Sequence, residues 1–328
     1  MEPSSLIAVG ASAGGVEALR EFVAGLPPDM TAAVLIVLHL PPGGFSALPA
    51  ILGRACALPV QAAGDGIEAM PGHIYTAVPD THLLVRDGRM VLSHGPTENG
   101  HRPGVDATFR SVAMVYGPRA AGVVLSGGLD DGSAGLALIK RMGGLTAVQD
   151  PKEAMHPGMP NSALRQVDVD LVLPARAIGD ALMAALRHRV SSRPPPSELD
   201  RLENAIDAGH RIERNGVADM TIPSGLTCPD CSGSLYDLGD GRYRCRVGHA
   251  WSPEALLIEQ GTEVERALWA ALRALQEKQQ LADKMCADAG RYGNTRLSAR
   301  FAAQSAEQLS AAKILRKLLV GDGDMGPG

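Results

Sequence analysis

Three short stretches carry residues that could do chemistry, and each one follows an apolar run. The first is Gly10-Ala11-Ser12-Ala13-Gly14-Gly15, after Leu6-Ile7-Ala8-Val9. The second places His39 at the end of "VLIVLHL", ahead of Pro41-Pro42-Gly43-Gly44. The third, "GVVLSGGLDDG", sets Asp130 and Asp131 before Gly132. A serine hydroxyl is a weak nucleophile at neutral pH and needs a base, itself oriented by a third group. Ser12, His39 and one of Asp130 and Asp131 supply one group of each kind. Singly they have plainer readings: a helix cap, a hydrogen-bonded imidazole, a turn residue. Their joint placement at strand ends favours a nucleophile, base and acid acting together.

A helix starting near Gly15 turns its free N–H groups and positive dipole end toward Ser12. The N–H of Ala13 is the natural first donor to an oxyanion, and Gly127-Gly128 in the third loop offers a second. Such donors are worth about 3 kcal/mol each in acyl transfer. A phosphate cradle fits the same loop poorly. It lacks the G-x-G-x-x-G spacing, and the second strand ends in His39 where a dinucleotide fold places a ribose-binding acid. The order Ser-His-Asp also departs from the Ser-Asp-His order of α/β-hydrolases.

A fourth stretch holds Cys228-x2-Cys231, thirteen further residues, then Cys245-x3-His249. Two close pairs of soft ligands at this spacing suit tetrahedral Zn²⁺. Four protein ligands leave no open position, so the expected zinc is structural and catalysis needs no cofactor. So small a segment has too little core to fold unaided. Cys56 and Cys286 are left over and read as buried packing.

The elements that must position these residues follow from periodicity. "LIAVG", "AAVLIVLHL", "AGVVLSGG", "GLTAVQD" and "DLVLP" are nearly continuous apolar runs, the pattern of strands buried on both faces. Helical patterns alternate with them, which predicts an α/β fold: a doubly wound, mostly parallel sheet with helices on both faces. Two alternating runs around Asp87-Gly88 add a β-hairpin. In such sheets, catalytic groups gather at the carboxyl ends of the strands. Residues 1–190 are read as this catalytic domain. Pro194-Pro195-Pro196 opens a linker with a short helix capped at Ser197, over 191–223. A zinc-ribbon-like module follows over 224–253. Residues 254–320 read as an α-helical hairpin with Ser252 as its first cap and Pro253 at the first helical position. The tail 321–328 is expected to be disordered.

The formal net charge is −5 and aromatics are 3% of the 328 residues, against nucleic-acid binding. Arg242, Arg244 and Arg246 alternate on one strand face, without an obvious reading helix beside them. No run has the length of a membrane span, and the first strand follows Met1 too closely for a signal segment. A cytoplasmic protein is expected.

Together "GASAGG", "HLPPG", "ENGHRPGVDATFRSVA", "LSGGLDDGSAGL" and "HPGMPNSAL" resemble, in order, the catalytic domain of chemotaxis receptor protein-glutamate methylesterases (the CheB family). The resemblance spans nearly all of residues 5–187 and takes in the catalytic domain without the receiver domain that members normally carry. It implies removal of methyl esters from glutamates of methylated chemoreceptors, and often deamidation of receptor glutamines. It also implies Ser12 as nucleophile, His39 as base, Asp131 rather than Asp130 as the acid, and the Gly128 N–H in the oxyanion hole. Two positions depart from the family pattern: Ala13 stands where threonine is usual, and Gly128 where methionine is usual. His82, His94 and His101 read as surface or substrate-lip residues. Arg102 and Arg110 read either as partners for an acidic receptor helix or as solvated surface. The zinc module and helices, with a stripe from Leu256 to Leu275, suit docking or oligomerisation. The alternative reading is a non-enzymatic signalling or docking module that keeps the methylesterase fold.

Overall fold

The computed structural model describes residues 5–40, 43, 46–187, 193–210 and 221–320. Its central strands are the apolar runs, because a strand covered on both faces has no solvent side to carry polar residues. In chain order β1 (Leu6–Ala11) leads to α1 (Gly15–Ala24), and β2 (Ala33–Leu38) to α2 (Leu48–Gly53). Short strands β3 (Val60–Ala62) and β4 (Ile74–Thr76) follow, then the hairpin β5 (His82–Arg86) and β6 (Arg89–Ser93). Next come α3 (Val105–Tyr116), β7 (Ala120–Val124), α4 (Ser133–Arg141) and β8 (Leu145–Gln149). The series ends with α5 (Gly158–Gln166), β9 (Leu171–Leu173) and α6 (Ala175–Arg187).

Seven strands form one sheet in the order β3-β4-β2-β1-β7-β8-β9, every neighbour parallel. One apolar cluster, with Leu19, Phe22, Ile178 and Leu182, covers one face under α1 and α6. A second, with Phe109, Val112, Leu136 and Met159, covers the other face under α3, α4 and α5. The α/β sheet with helices on both faces is therefore as expected. The chain winds outward in both directions from β1, so the crevice at its carboxyl end lies at a topological switch point. Strands β3 and β4 are additions to the reading from sequence; Val60-Gln61-Ala62 and Ile74-Tyr75-Thr76 are not continuous apolar runs. The expected hairpin forms a two-stranded sheet of its own. Asp87 (φ 50°) and Gly88 (φ 73°) both take the left-handed region that its tight turn requires.

Beyond the triple proline, α7 (Glu198–Asp207) begins with a capping box. Ser197 Oγ accepts from the Asp200 N–H, while the Asp200 carboxylate accepts from the Ser197 N–H. Strands β10 (Ile222–Thr227), β11 (Ser234–Asp237), β12 (Tyr243–Cys245) and β13 (Ala250–Trp251) make an antiparallel sheet. Its core is small: Cys228, Leu235, Cys245, Trp251, Ala255 and Leu256. Two long helices close the described chain, α8 (Pro253–Arg291) and α9 (Thr295–Val320), with Gly293 (φ 73°) in the turn between them. Ser252 caps α8 by accepting from the Ala255 N–H. The chain divides into two compact units between Leu256 and Leu257, so the parallel sheet and the Cys/His module share the first. The expected tail 321–328 lies outside the described residues, as do 188–192 and 211–220 of the boundary and linker regions. Among the described residues no helix is long and apolar enough to cross a membrane.

Candidate active site

The three loops met in the sequence converge at the carboxyl ends of β1, β2 and β7. Ser12 follows β1 directly, and its N–H donates to the Ser126 carbonyl, tying the first loop to the third (2.9 Å). Gly14 (φ 66°) then reverses the chain into α1, and a Cβ there would meet Ser126 Oγ and Met155 Cβ at 2.9 Å. His39 follows β2, its N–H donating to the Ala11 carbonyl (3.3 Å). Its Nδ1 lies 3.1 Å from Ser12 Oγ, and its Nε2 lies 2.7 Å from Asp131 Oδ2.

Asp131 is buried, and the free start of α3 holds it in place. The N–H groups of Val105 and Asp106 donate to its two oxygens at 2.8 and 3.0 Å. Burial alone would raise this carboxyl. The bond from His39 and the two helix N–H groups outweigh burial and hold it well below the usual carboxylate range. An ionised carboxylate only accepts, so Nε2 carries the imidazole proton. Nδ1 is then left as the acceptor facing the Ser12 hydroxyl. Asp130 has a different environment. It accepts from Ser252 Oγ (2.8 Å), and burial pushes it up to about 6. The aspartate that meets His39 is thus Asp131, the one the DG pattern points to.

Among the described residues, no acceptor takes the N–H of Ala13 or of Gly128. The loop bearing Gly128 is held by Gly127, whose N–H donates to the His156 carbonyl and whose carbonyl accepts from the Met159 N–H (both 2.9 Å). Leu129, at φ 60°, turns the chain back so that Asp131 can reach the imidazole. A cavity of about 410 Å³ opens beside His39, lined by Leu40, Asp80, Thr97, Gly100, His101 and Arg102.

Several side chains sit elsewhere than the sequence suggested. The His101 ring stacks on that of His39, centroids 4.1 Å apart and planes 18° from parallel. His82 is not a surface residue but wholly buried, its Nε2 against the Pro96 carbonyl and its Nδ1 accepting from the Gly104 N–H. Arg110, read as a possible greeter of acidic partners, is 2% exposed and bonded to Asp207 and Glu98. Arg244 is 0% exposed, so the alternating arginines do not form one outer face. Arg102 does stay at the cavity edge, paired with Asp80. Cys56 and Cys286 are half-buried rather than core residues. A histidine that opens a strand and an arginine inside a helix carry no local signal of burial; Pro96 and Gly104 supply the partners of His82, and Glu98 and Asp207 those of Arg110.

Cys228, Cys231, Cys245 and His249 come together, their ligand atoms all within 4.8 Å of one another. Cys231 Sγ is 3.7 Å from Cys245 Sγ, and His249 Nδ1 is 3.6 and 3.8 Å from Cys245 Sγ and Cys228 Sγ. A tetrahedron with metal–sulfur bonds of about 2.3 Å has edges of about 3.7 Å, so this donor set fits a zinc-sized ion.

Comparison with known proteins gives the same outline. Residues 7–182 match the family model described as CheB methylesterase. A protein-glutamate methylesterase/protein-glutamine glutaminase of Burkholderia pseudomallei is 42% identical over 185 residues, 55% of this chain and 50% of that protein. One from Yersinia pestis is 39% identical over 190 residues, 57% and 54% of the two chains. The chain thus spans about half the length of the curated relatives it matches. The crystal structure of the Thermotoga maritima CheB methylesterase catalytic domain aligns with a TM-score of 0.53 at 32% identity, covering 55% of this chain and 98% of that one. With more than half of its residues inside that pattern, the chain belongs to the CheB methylesterase family.

Proposed function

We propose that residues 1–190 form a serine hydrolase that removes methyl esters from glutamate side chains of chemoreceptor-type proteins in the cytoplasm. Ser12 Oγ attacks the ester carbonyl as His39 Nδ1 takes its proton, and Asp131 stabilises the imidazolium through Nε2. The N–H groups of Ala13 and Gly128 receive the tetrahedral oxyanion. Collapse of that intermediate returns the proton to the leaving oxygen and releases methanol. Water then attacks the acyl-serine by the same route, leaving a free glutamate carboxylate. With a glutamine substrate the leaving group is ammonia.

The observation that carries this reading is the hydrogen-bonded chain from Ser12 through His39 to Asp131 at the switch point of the sheet. The four Cys/His side chains are assigned a structural zinc, and residues 254–320 a docking or oligomerisation role. The test is methanol release from a methylated chemoreceptor. The wild type should release it and Ser12→Ala should not; equal release by both would overturn the mechanism.

A further inference from the structure

The Cys/His module reaches the site through one short hairpin. Glu98 and His101 exchange backbone hydrogen bonds (3.1 and 2.8 Å) across a turn made by Asn99 (φ 51°) and Gly100 (φ 74°). At one end of this turn the His101 ring lies on His39. Its other side is gripped by the module at three places. The Thr97 hydroxyl donates to Asp230, between the first two cysteines (2.7 Å). The Glu98 carboxylate accepts from buried Arg244, next to Cys245 (2.6 Å). Asn99 N–H donates to the Ala250 carbonyl and Ala250 N–H to the Thr97 carbonyl, immediately after His249 (2.8 and 3.1 Å). Asn99 Oδ1 also accepts from the Ser252 N–H (2.7 Å). Each of the three segments that supply metal ligands therefore supplies one contact to the hairpin.

We propose that the Cys/His module clamps the catalytic site: metal at the Cys228 cluster fixes the three segments that grip Thr97–His101, and that hairpin braces the His39 imidazole through His101. The inference rests on the hydrolase reading above. Without the ion, three thiols and an imidazole offer weak mutual bonds, and a six-residue core must hold the segments alone. Slack passed to His39 costs rate steeply, since a displacement of about 1 Å costs about a hundredfold. His101 is thus a positioning residue, one that acts through the base it stacks on.

The full chain with its zinc counted by atomic absorption is compared with chelator-stripped protein and with Cys231→Ser, reading methanol release from methylated chemoreceptor. Stripping should lower kcat about tenfold or more with KM little changed. It should also shift Trp251 emission to the red in a Trp269→Phe background, a readout independent of activity. Asn99→Gly keeps the left-handed turn, loses only the Ser252 contact, and should lower kcat in protein that retains its zinc. His101→Ala should do the same, while His101→Phe, which keeps a stacking ring, should recover most of the rate. An active wild type whose kcat is indifferent to zinc, to Asn99→Gly and to His101→Ala overturns the clamp alone. A zinc-loaded wild type that releases no methanol overturns the hydrolase reading, and the clamp with it.

Discussion

The parallel sheet and the Cys/His module share one compact unit but are held together differently. Strands β1, β2 and β7 are buried along their whole length between two large apolar clusters. Each Val, Leu or Ile side chain buried there contributes about 1.5–3 kcal/mol. The module has six core residues and a seam made of charge. Arg110, Arg242 and Arg244 meet Glu98, Glu203 and Asp207, nearly all out of solvent. Buried ion pairs add little net stability, yet removing one partner is costly because the other charge stays behind. The sheet thus carries its own folding energy and can hold catalytic groups at its rim. The module's geometry is conditional on its ligand atoms and on the surface it docks against.

The module's weakest joint is the Cys228 cluster, with the zinc proposed for it. Removal of zinc should unfold the module while the sheet persists, since structural zinc supplies on the order of 10 kcal/mol to small domains. Hydrogen exchange would read this as lost protection in β10–β13 and unchanged protection in β1, β2 and β7; uniform loss would contradict it. On the proposed mechanism Ser12→Ala should lower activity at least about a thousandfold without lowering Tm, because the sheet does not need that hydroxyl to stand. Arg244→Met should cost about 3–5 kcal/mol in urea unfolding followed at Trp251, the penalty of leaving Glu98 and Glu203 buried and less paired. Ser197→Ala, which removes one cap from α7, should cost only about 1 kcal/mol by the same measurement.

Acid sharpens the same contrast. Burial alone would raise Glu98 and Glu203, but the surrounding guanidiniums outweigh it and hold both below their ordinary value of 4.5. Their contribution is therefore present above about pH 4.5 and is lost as pH falls further. Asp130 and Asp207 have the opposite sign. Burial pushes them up from 3.8 to about 6 and about 7, so the stability tied to their protonated forms is present below about pH 3.8 and is lost as pH rises to those values. Unfolding of the seam, followed at Trp251 with zinc in excess, should be hardest near about pH 4.5 and ease as pH moves away in either direction. A profile that kept rising to pH 8 would contradict this balance.

Much of the candidate site was legible because its residues end buried strands. An apolar run followed by Gly-x-Ser-x-Gly, or by Asp-Gly, marks a loop at one edge of a parallel sheet, and local pattern suffices for that. Ser12, His39 and Asp131 are visible on these grounds, as is the Cys228 cluster from its spacing. His101 was not, because a stack between residues on different loops leaves no periodic trace. Arg110 and Arg244 were misread for a related reason. Each looks solvated in its own helix or strand, and each finds its partners only on Glu98 and on the α7 carboxylates Glu203 and Asp207.

Local sequence alone set the order of elements, the strand-end loops and the spacing of the paired Cys and His side chains, since these depend on neighbours a few positions away. Which imidazole nitrogen meets Ser12, which aspartate the start of α3 holds, and which carboxylates the buried arginines meet were decided only in three dimensions. Those outcomes depend on the desolvation and alignment of groups brought together from distant parts of the chain, and no local pattern encodes either.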